Sequence, residues 1–591
     1  MQNGVALLVA FFTVLLPLKF ASLTGLPETS ALFPSDAFSW VIITWPVTLF
    51  PICSGMVLLL TLLVFPPQIN RQPTAFVAAG LWLLLGLVGY VGAINASVRD
   101  FVEMQLIHGF GIGAYAATVF LILSNRPEWR SKFLILLTAT ALLVALLGWE
   151  QRLFSFEDTR RFVMEQQRVT GVTLGRDFMA RVMDNRIYST FTSCNNLAGF
   201  LLLMMPLVFY YAWQLGKRIE PPTAGRVVFL AMALLAMAVP LYMTGSRAAF
   251  AVLFVLFGVL LLAFPVERRI RIFVASAIVL ALLAGALVIQ FAGRGFWSMF
   301  ARLDYQRASL LIFAKNPLFG TGWGDFFHDY MLIKIFPGKE APHDPHCMFM
   351  AYLAQCGIIG GISCFLALFW PLWAAWRRIL RSTDKFYTKI EFWIFAGVAG
   401  CVIHSQVDTN MQVPAIMCYL AALQVTLLIS KAEPEKQKNR LALRIIFVIV
   451  AGWSGIFGVL DGYKLFRAEK SFAGLQDLTS PQGKTAEEYY QTTPQQVKDS
   501  LEQTVTLKPY SPFPWQTAGD FMFSRGIYDV AERYYLKMLE LAPLRASAWH
   551  RMHRICRVTG REDAAAEYLQ KAQQLFPNNP DYEESWVIPV K

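Results

Sequence analysis

Histidine and arginine residues are concentrated in one polar stretch, residues 302–361, between two strongly apolar segments of this 591-residue chain. Three of the seven histidines and two arginines lie there: His328, His343, His346, Arg302 and Arg307. His346 follows Pro345 and is predicted to begin a helix, so its ring extends from a rigid position. An imidazole titrates near neutral pH, and guanidinium groups bind phosphate through a planar fork. These residue types suit a base that deprotonates a hydroxyl while cations hold a departing phosphate.

Two further arginines lie beside predicted membrane helices. Arg186 precedes one such helix, and Arg247 ends the tight turn Thr244-Gly245-Ser246-Arg247 between two others. A charge at such a junction is costly unless it faces a cavity or a partner, although a snorkelling anchor is the alternative for Arg247. We therefore predict that Arg186, Arg247 and His346 converge at one end of the bundle. Arg302 and Arg307 are about 140° apart around a helix, so we expect one of them to join this patch.

The segment His343-Asp344-Pro345-His346 also admits a metal site. However, His328 is the only other nearby candidate ligand, and the spacing matches no known ligand pattern. The acidic pair with which nucleotide-sugar enzymes hold a metal is missing from the sequence around it. We therefore predict neither a metal nor a cofactor.

The composition excludes an ordinary soluble protein. Hydrophobic residues make up 56% of the chain, charged residues make up 16%, and the mean hydropathy is +0.46. About 20 apolar residues span a bilayer as a helix, and such runs recur along the first 460 residues. The predicted fold is therefore all-α: a polytopic membrane helix bundle of about 12–13 spans. The spans are 4–18, 38–65, 74–93, 102–123, 133–148, 197–213, 227–243, 248–264, 273–291, 352–376, 390–404, 413–430 and 442–460.

Basic residues predict the orientation of the bundle. The net charge of +12 could suggest a nucleic-acid partner, but the basic residues of the membrane region cluster in short loops between apolar runs, as the positive-inside rule describes. We therefore predict no nucleic acid. The cytoplasmic loops would be 66–73, 124–132, 214–226, 265–272, 377–389 and 431–441. The short loops on the other side carry only Lys19, Arg99 and Arg247. Loops 149–196 and 292–351 and the tail would then face outward.

The outer loop 149–196 contains arginine but no lysine. Its seven arginines are Arg152, Arg160, Arg161, Arg168, Arg176, Arg181 and Arg186. Arginine forks suit phosphate recognition. Six acidic residues nearly balance these charges, so a solvated amphipathic segment is an equal alternative.

The tail, residues 461–591, is polar and repeats with a period of 34 residues. The repeated positions are Pro509, Pro543 and Pro577; Trp515 and Trp549; Gly526 and Gly560; and Ala531 and Ala565. This period is typical of tetratricopeptide helix pairs, with a degenerate unit predicted at 484–508. Such repeats present a concave face to a peptide or protein, and a purely structural cap is the alternative.

Between about residues 188 and 430 the chain resembles the superfamily of O-antigen ligases and O-antigen polymerases. The similar segments are Phe191-Thr192-Ser193-Cys194-Asn195-Asn196-Leu197-Ala198; Ser246-Arg247-Ala248-Ala249; Pro317-Leu318-Phe319-Gly320-Thr321-Gly322; and Pro345-His346 leading to Gly357. Each motif alone is weak, and their order and spacing make the resemblance fairly specific.

The resemblance implies a multi-span glycosyltransferase of the C type in the bacterial inner membrane. Such enzymes move a glycan from undecaprenyl pyrophosphate to an acceptor hydroxyl on the periplasmic side, without nucleotide or metal. The essential histidine of the family falls on His346, and its pyrophosphate-contacting arginines fall on Arg186 and Arg247. Cys347 replaces the usual Asn, and Gln355 replaces the usual Glu, which removes one partner for the histidine and leaves the acceptor type open.

The leading hypothesis is therefore an inverting glycan transfer, with His346 as the base and Arg186 and Arg247 on the leaving pyrophosphate. Residues expected to bind or orient the substrate are Asn195, Arg302, Arg307 and His343. The acceptor could be lipid A core, a growing O-antigen or exopolysaccharide chain, or a protein, and the tail favours a protein partner. Membrane lipids would surround the bundle. An envelope-lipid transporter would instead place charges near the midplane, and a non-catalytic anchor for the tail would leave the His346 motif unexplained.

Overall fold

The computed structural model describes residues 1–24, 33–34, 36–170, 179, 182–263, 267–269, 272, 276, 297–335, 342–381, 388–430, 440–480, 486–577, 579 and 582. These segments form α-helices joined by loops, short 3-10 helices and π-turns, and they contain no β-strand. The helices are α1 (Gln2–Lys19), α2 (Ala37–Ile42), α3 (Leu49–Val64), α4 (Pro73–Val88), α5 (Arg99–Asn125), α6 (Arg130–Glu150), α7 (Phe156–Thr170), α8 (Cys194–Gly216), α9 (Pro222–Ala233), α10 (Val239–Met243), α11 (Arg247–Ala263), α12 (Trp297–Lys315), α13 (Phe326–Ile333), α14 (Met348–Leu380), α15 (Ile390–His404), α16 (Pro414–Leu428), α17 (Leu441–Thr479), α18 (Ala486–Gln491), α19 (Pro494–Leu507), α20 (Phe513–Ser524), α21 (Tyr528–Leu541), α22 (Ala546–Val558) and α23 (Glu562–Leu575).

The helices confirm the predicted all-α polytopic membrane class. Within the described segments, eight helices are long and apolar enough to cross a bilayer. They are Gln2–Lys19, Pro73–Ala93, Arg99–Asn125, Pro127–Glu165, Cys194–Gly216, Pro222–Met243, Met348–Leu380 and Leu441–Thr479. Shorter apolar helices occur at Leu49–Val64, Arg247–Leu256, Ile390–His404 and Pro414–Leu428. Apart from residue 276, the predicted span 273–291 lies outside the described residues.

The predicted long span 38–65 is divided into α2 and α3. Residues 43–48 between them are not helical, and they include Pro46, which has no N–H to donate to a helix. Pro51 is tolerated because it lies in the first turn of α3. The division therefore follows from the prolines that the sequence places there.

Helix α5 is the most deeply buried of the long apolar helices in the described chain, with 94% of its apolar window inside the protein. Glycines allow its backbone and those of its neighbours to approach closely, as is common between membrane helices. A Cβ atom at Gly86 in α4 would lie 3.0 Å from the Gly109 carbonyl oxygen of α5. One at Gly55 in α3 would lie 2.5 Å from the Gly455 carbonyl oxygen of α17. Close backbone packing therefore fixes α3, α4, α5 and α17 together.

Helix α6 does not end near residue 148, where its predicted span ends. It passes through a π-turn at Gln151–Ser155 and continues into α7. Three arginines of α7 pair with acids three residues earlier in the sequence: Arg160 with Glu157, Arg161 with Asp158, and Arg168 with Glu165. Arg161 and Arg168 are exposed, as the solvated amphipathic alternative expects, whereas Arg160 is 18% exposed and also donates to the Asn185 side chain over 2.8 Å. Arg176 and Arg181 lie outside the described residues.

Helix α17 continues through residue 461, where the change in composition had placed a domain boundary. Its 39 residues extend for about 58 Å at 1.5 Å per residue. Its C-terminal part packs against α19 and α20, and the pairs α20–α21 and α22–α23 follow. Ala531 and Ala565, which recur 34 residues apart, are buried at these packed helices. The tetratricopeptide assignment stays a prediction.

The C-terminal helices contact the end of the bundle at which α5 begins. Lys508 forms an ion pair with Asp100, which is fully buried, and the Tyr510 hydroxyl donates to Glu103. The Thr48 hydroxyl donates to Glu469 over 2.5 Å. Together with the unbroken α17, these contacts hold the C-terminal helices in a defined position over this end.

Candidate active site

A glycine-rich loop supports the helix that carries His346. Helix α14 is interrupted at Gly357, whose φ of +63° is left-handed, and a Cβ atom there would overlap the backbone of Leu318. The freed Ile358 N–H donates to the Pro317 carbonyl over 2.8 Å. The Thr321 N–H donates to the Ala354 carbonyl over 2.9 Å. The loop is therefore bound to the first turns of α14.

His346 lies just before α14 in an unusual backbone conformation. Its φ is +53°, a left-handed value that is rare for residues other than glycine. The Asp344 carboxylate accepts a hydrogen bond from the His346 N–H over 2.8 Å, and the imidazole stacks on the Tyr305 ring at 5.6 Å. Among the described residues, the buried Nδ1 has no hydrogen-bond partner. The backbone turn and the Tyr305 ring therefore position the imidazole.

Gln355 and Cys347, the two departures from the family pattern, bond to groups other than the imidazole. The Gln355 side chain accepts from the Gly324 N–H over 2.9 Å, so it supports the glycine-rich loop. The Cys347 thiol donates to Gln406 over 3.4 Å. Gln355 therefore supports the glycine-rich loop, and its effect on the histidine stays a prediction.

Arg302 is held beside the His346 stack by a carboxylate that sequence reasoning did not select. Its guanidinium forms a 3.1 Å ion pair with Asp408, whose side chain is 3% exposed, whereas that of Arg302 is 22% exposed. Arg302 lies three residues before Tyr305, so both lie on one side of α12. The signal for Asp408 was a charge in an otherwise apolar region, which usually indicates function.

Arg307 points to a different region, in line with the angle predicted between it and Arg302. Its guanidinium pairs with Asp304 at 2.9 Å and donates to the Ile333 carbonyl over 2.5 Å. The Asp304 carboxylate also accepts from the Tyr330 hydroxyl at 3.1 Å. Arg307 thus links α12 to the end of α13.

Arg186 and Asn195 meet at the turn that leads to Arg247. Arg186 Nε donates to the Thr244 carbonyl over 2.7 Å, and its Nη2 donates to Asn195 Oδ1 over 3.1 Å. Gly245, at φ +62°, leaves room for this side chain, since a Cβ atom there would lie 3.0 Å from Arg186 Nε. Arg247 is exposed as the first residue of α11. The structure therefore brings Arg186, Asn195 and the turn of Arg247 together.

One short segment, residues 404–410, connects the two clusters. The Asn410 side-chain amide donates to Ser405 Oγ over 3.2 Å and lies against Gly199 of α8. The Ser405 carbonyl accepts from the Met348 N–H over 2.9 Å, two residues after His346. Asn196, one turn before Gly199, is fully buried, and its amide has no hydrogen-bond partner among the described residues. The segment therefore contacts both α8, which carries Asn195, and the start of α14, next to His346.

His343 lies beside the site with its ring between two phenylalanines. The centroid of the His343 ring lies 5.4 Å from that of Phe101 and 5.5 Å from that of Phe327.

Burial lowers the pKa of His328, which lies on α13. Across the described segments, no three His, Cys, Asp or Glu side chains form a group that could hold a metal ion.

Comparison with known proteins finds one family. Residues 232–365 match the family model described as O-antigen ligase, and no curated protein matches the chain. The matched range contains five of the predicted site residues: Arg247, Arg302, Arg307, His343 and His346. Arg186 and Asn195 precede it, and Asp408 follows it. The recognition of the superfamily from its motifs is confirmed.

Proposed function

The chain carries a domain of the O-antigen ligase superfamily in residues 232–365, and we propose that it transfers a glycan from undecaprenyl pyrophosphate to an acceptor hydroxyl. The distribution of basic loops supports a site on the periplasmic side of the bacterial inner membrane. The C-terminal helices pack at the same end of the bundle as the site. The proposal rests on one observation above all, the placement of Arg186 and Asn195 against the turn of Arg247.

In the proposed reaction, His346 Nε2 accepts the proton of the acceptor hydroxyl. The acceptor oxygen bonds to the anomeric carbon while the bond from that carbon to the pyrophosphate oxygen breaks, so the configuration inverts. The electron pair leaves with undecaprenyl pyrophosphate, and Arg186 and Arg247 stabilise its negative charge. The Tyr305 ring, stacked on His346, favours the imidazolium that forms. Neither a metal nor a cofactor takes part in this scheme.

The remaining site residues would organise the donor. Asn195 fixes Arg186, and Arg302, held by Asp408, would bind phosphate or sugar oxygens beside His346. Arg307 and His343 are bonded or packed within the structure, so we assign them to shaping the site. This division assigns Arg186 and Arg247 to the leaving pyrophosphate and Arg302 to the part of the site next to His346.

The acceptor remains a choice among lipid A core, a growing O-antigen or exopolysaccharide chain, and a protein. The packing of the C-terminal helices near His343 favours a large acceptor or a protein partner held at that end. Mass spectrometry of surface glycans from cells with and without the gene would distinguish these acceptors. Loss of capped lipid A, of polymer length or of glycoprotein would each identify one.

The transfer itself is tested with the full chain in proteoliposomes that contain a lipid-linked glycan donor. We expect His346→Ala and Arg247→Ala to leave the donor untransferred while the proteins remain folded. Arg168→Ala is the matched control, because within the described part of the chain this exposed arginine pairs with Glu165 on its own helix, α7. Transfer at the wild-type rate by both site variants would refute the proposal.

A further inference from the structure

The His343 ring lies inside a stack of aromatic residues that extends beyond the membrane bundle. Phe101 at the start of α5 faces it at an interplanar angle of 31°, and Phe327 of α13 faces it at 22°. The segment just before His346 is therefore fixed by its side chain as well as by its backbone.

Each of these two phenylalanines is supported from behind by the C-terminal helices. Phe513, which begins α20, packs edge-on against Phe101 at 6.1 Å. Phe576, which follows α23, packs edge-on against Phe327, also at 6.1 Å. Two separate repeats of the tail therefore contact the two aromatic supports of His343.

A short path leads from this stack to the imidazole of His346. His343 is followed by Asp344, whose carboxylate accepts from the His346 N–H and from the Gln412 side chain at 3.3 Å. The left-handed backbone of His346 is held only where the surroundings determine it. Displacing His343 would thus loosen the turn that sets the direction of the catalytic ring.

The C-terminal helices that carry Phe513 and Phe576 are themselves attached to the membrane bundle. Lys508 pairs with the buried Asp100 next to Phe101, and α17 joins the last span to the tail without a break. The tail therefore contacts the aromatic residues around His343 from a fixed position.

We propose that Phe513 and Phe576 are positioning residues for His346, so that the C-terminal helices form part of the catalytic apparatus. This inference rests on the proposed glycan transfer. A displacement of about 1 Å can cost up to a hundredfold in rate. Neither residue contacts Arg186 or the turn of Arg247 in the described structure, so the effect belongs to kcat rather than to donor KM.

The test compares Phe576→Ala with Phe523→Ala in the full chain. Both rings are partly buried, and Phe523 packs on Tyr528 and Arg554 within the tail, so it is the matched control. We expect Phe576→Ala to lower kcat roughly tenfold, with donor KM within about twofold, and Phe523→Ala to leave both unchanged. Phe576→Tyr, which keeps the ring, should restore kcat.

A double-mutant cycle that combines Phe576→Ala with Phe327→Ala tests whether the effect on kcat passes through the contact between these two rings. If the stack transmits the effect, the double variant should be about as slow as the slower single variant. If the losses of kcat in the two single variants multiplied in the double variant, the inference would be overturned. An equal kcat for Phe576→Ala and Phe523→Ala would also overturn it. His346→Ala is measured in the same assay. Transfer activity in this variant would refute the proposed function. If His346→Ala is inactive but Phe576→Ala has a normal kcat, only the present inference is refuted.

Discussion

Asp408→Asn should show how strongly the buried carboxylate controls the site. Asparagine preserves the shape and can still accept the Thr409 N–H, which donates to Asp408 Oδ1 over 2.8 Å. It removes the charge that pairs with Arg302 at 3.1 Å. Breaking a fully buried pair costs about 3–5 kcal/mol. Because solvent reaches about a fifth of Arg302, we expect loss of the pair to cost about 2 kcal/mol. In the proposed site Arg302 binds the donor only when this pair holds it, so the same cost should appear as a loss of roughly thirtyfold in kcat/KM.

The assay is a double-mutant cycle on kcat/KM for transfer from the lipid-linked donor. Arg302→Gln alone should also lose roughly thirtyfold, and the double variant should lose about the same rather than about a thousandfold. Asp158→Asn removes an exposed partner of Arg161 and serves as the control, with a change of at most about twofold. Independent, multiplying losses would show that Asp408 does not act through Arg302.

Two further predictions concern the backbone and the pH dependence. Gly245→Ala places a Cβ atom 3.0 Å from Arg186 Nε at a φ of +62°. The resulting strain of about 1–2 kcal/mol should displace Arg186 and raise the KM for the donor. An unchanged donor KM in steady-state kinetics would contradict this prediction. Burial raises the pKa of Asp325 from 3.8 to about 6. Above pH 6 the buried carboxylate is ionised, which lowers the free energy of unfolding. This destabilisation disappears as the pH falls towards 4, because the folded protein then holds the proton. Relative to Asp325→Asn, the wild type should therefore gain up to about 3 kcal/mol between pH 7.5 and pH 4 in thermal melts, and parallel curves would refute the assignment.

The sequence was sufficient for features that depend on local periodicity. Hydropathy predicted the polytopic all-α membrane class, and helical geometry predicted that Arg302 and Arg307 face different directions around α12. Composition predicted a domain boundary near residue 461, and α17 continues through it, because composition reports a change from lipid to water and a helix can cross that change. Helix α17 instead ends at Thr479, two residues before Pro481.

Long-range pairings were beyond such reasoning. Arg302 and Asp408 are separated by 106 residues, and neither periodicity nor spacing links them. The stacking of Tyr305 on His346 has no local signal either, since a tyrosine in an amphipathic helix usually packs in the core. The contacts of Phe513 and Phe576 depend on how the tail folds back onto the bundle. A charge in an apolar region is the one general clue that would have selected Asp408.

The segment from His404 to Asn410 explains how a site made of distant parts can remain ordered. Its Asp408 holds Arg302, its Ser405 carbonyl binds the first turn of α14 after His346, and its Asn410 lies against Gly199 near the arginine cluster. In the proposed reaction the base acts on the acceptor and the arginines act on the leaving group, so their separation must stay constant within a fraction of an ångström. A single segment that contacts both halves keeps this separation constant, whereas two independently mobile loops would not. The same reasoning explains why a polar turn is buried between two membrane helices despite the cost of removing its amides from water.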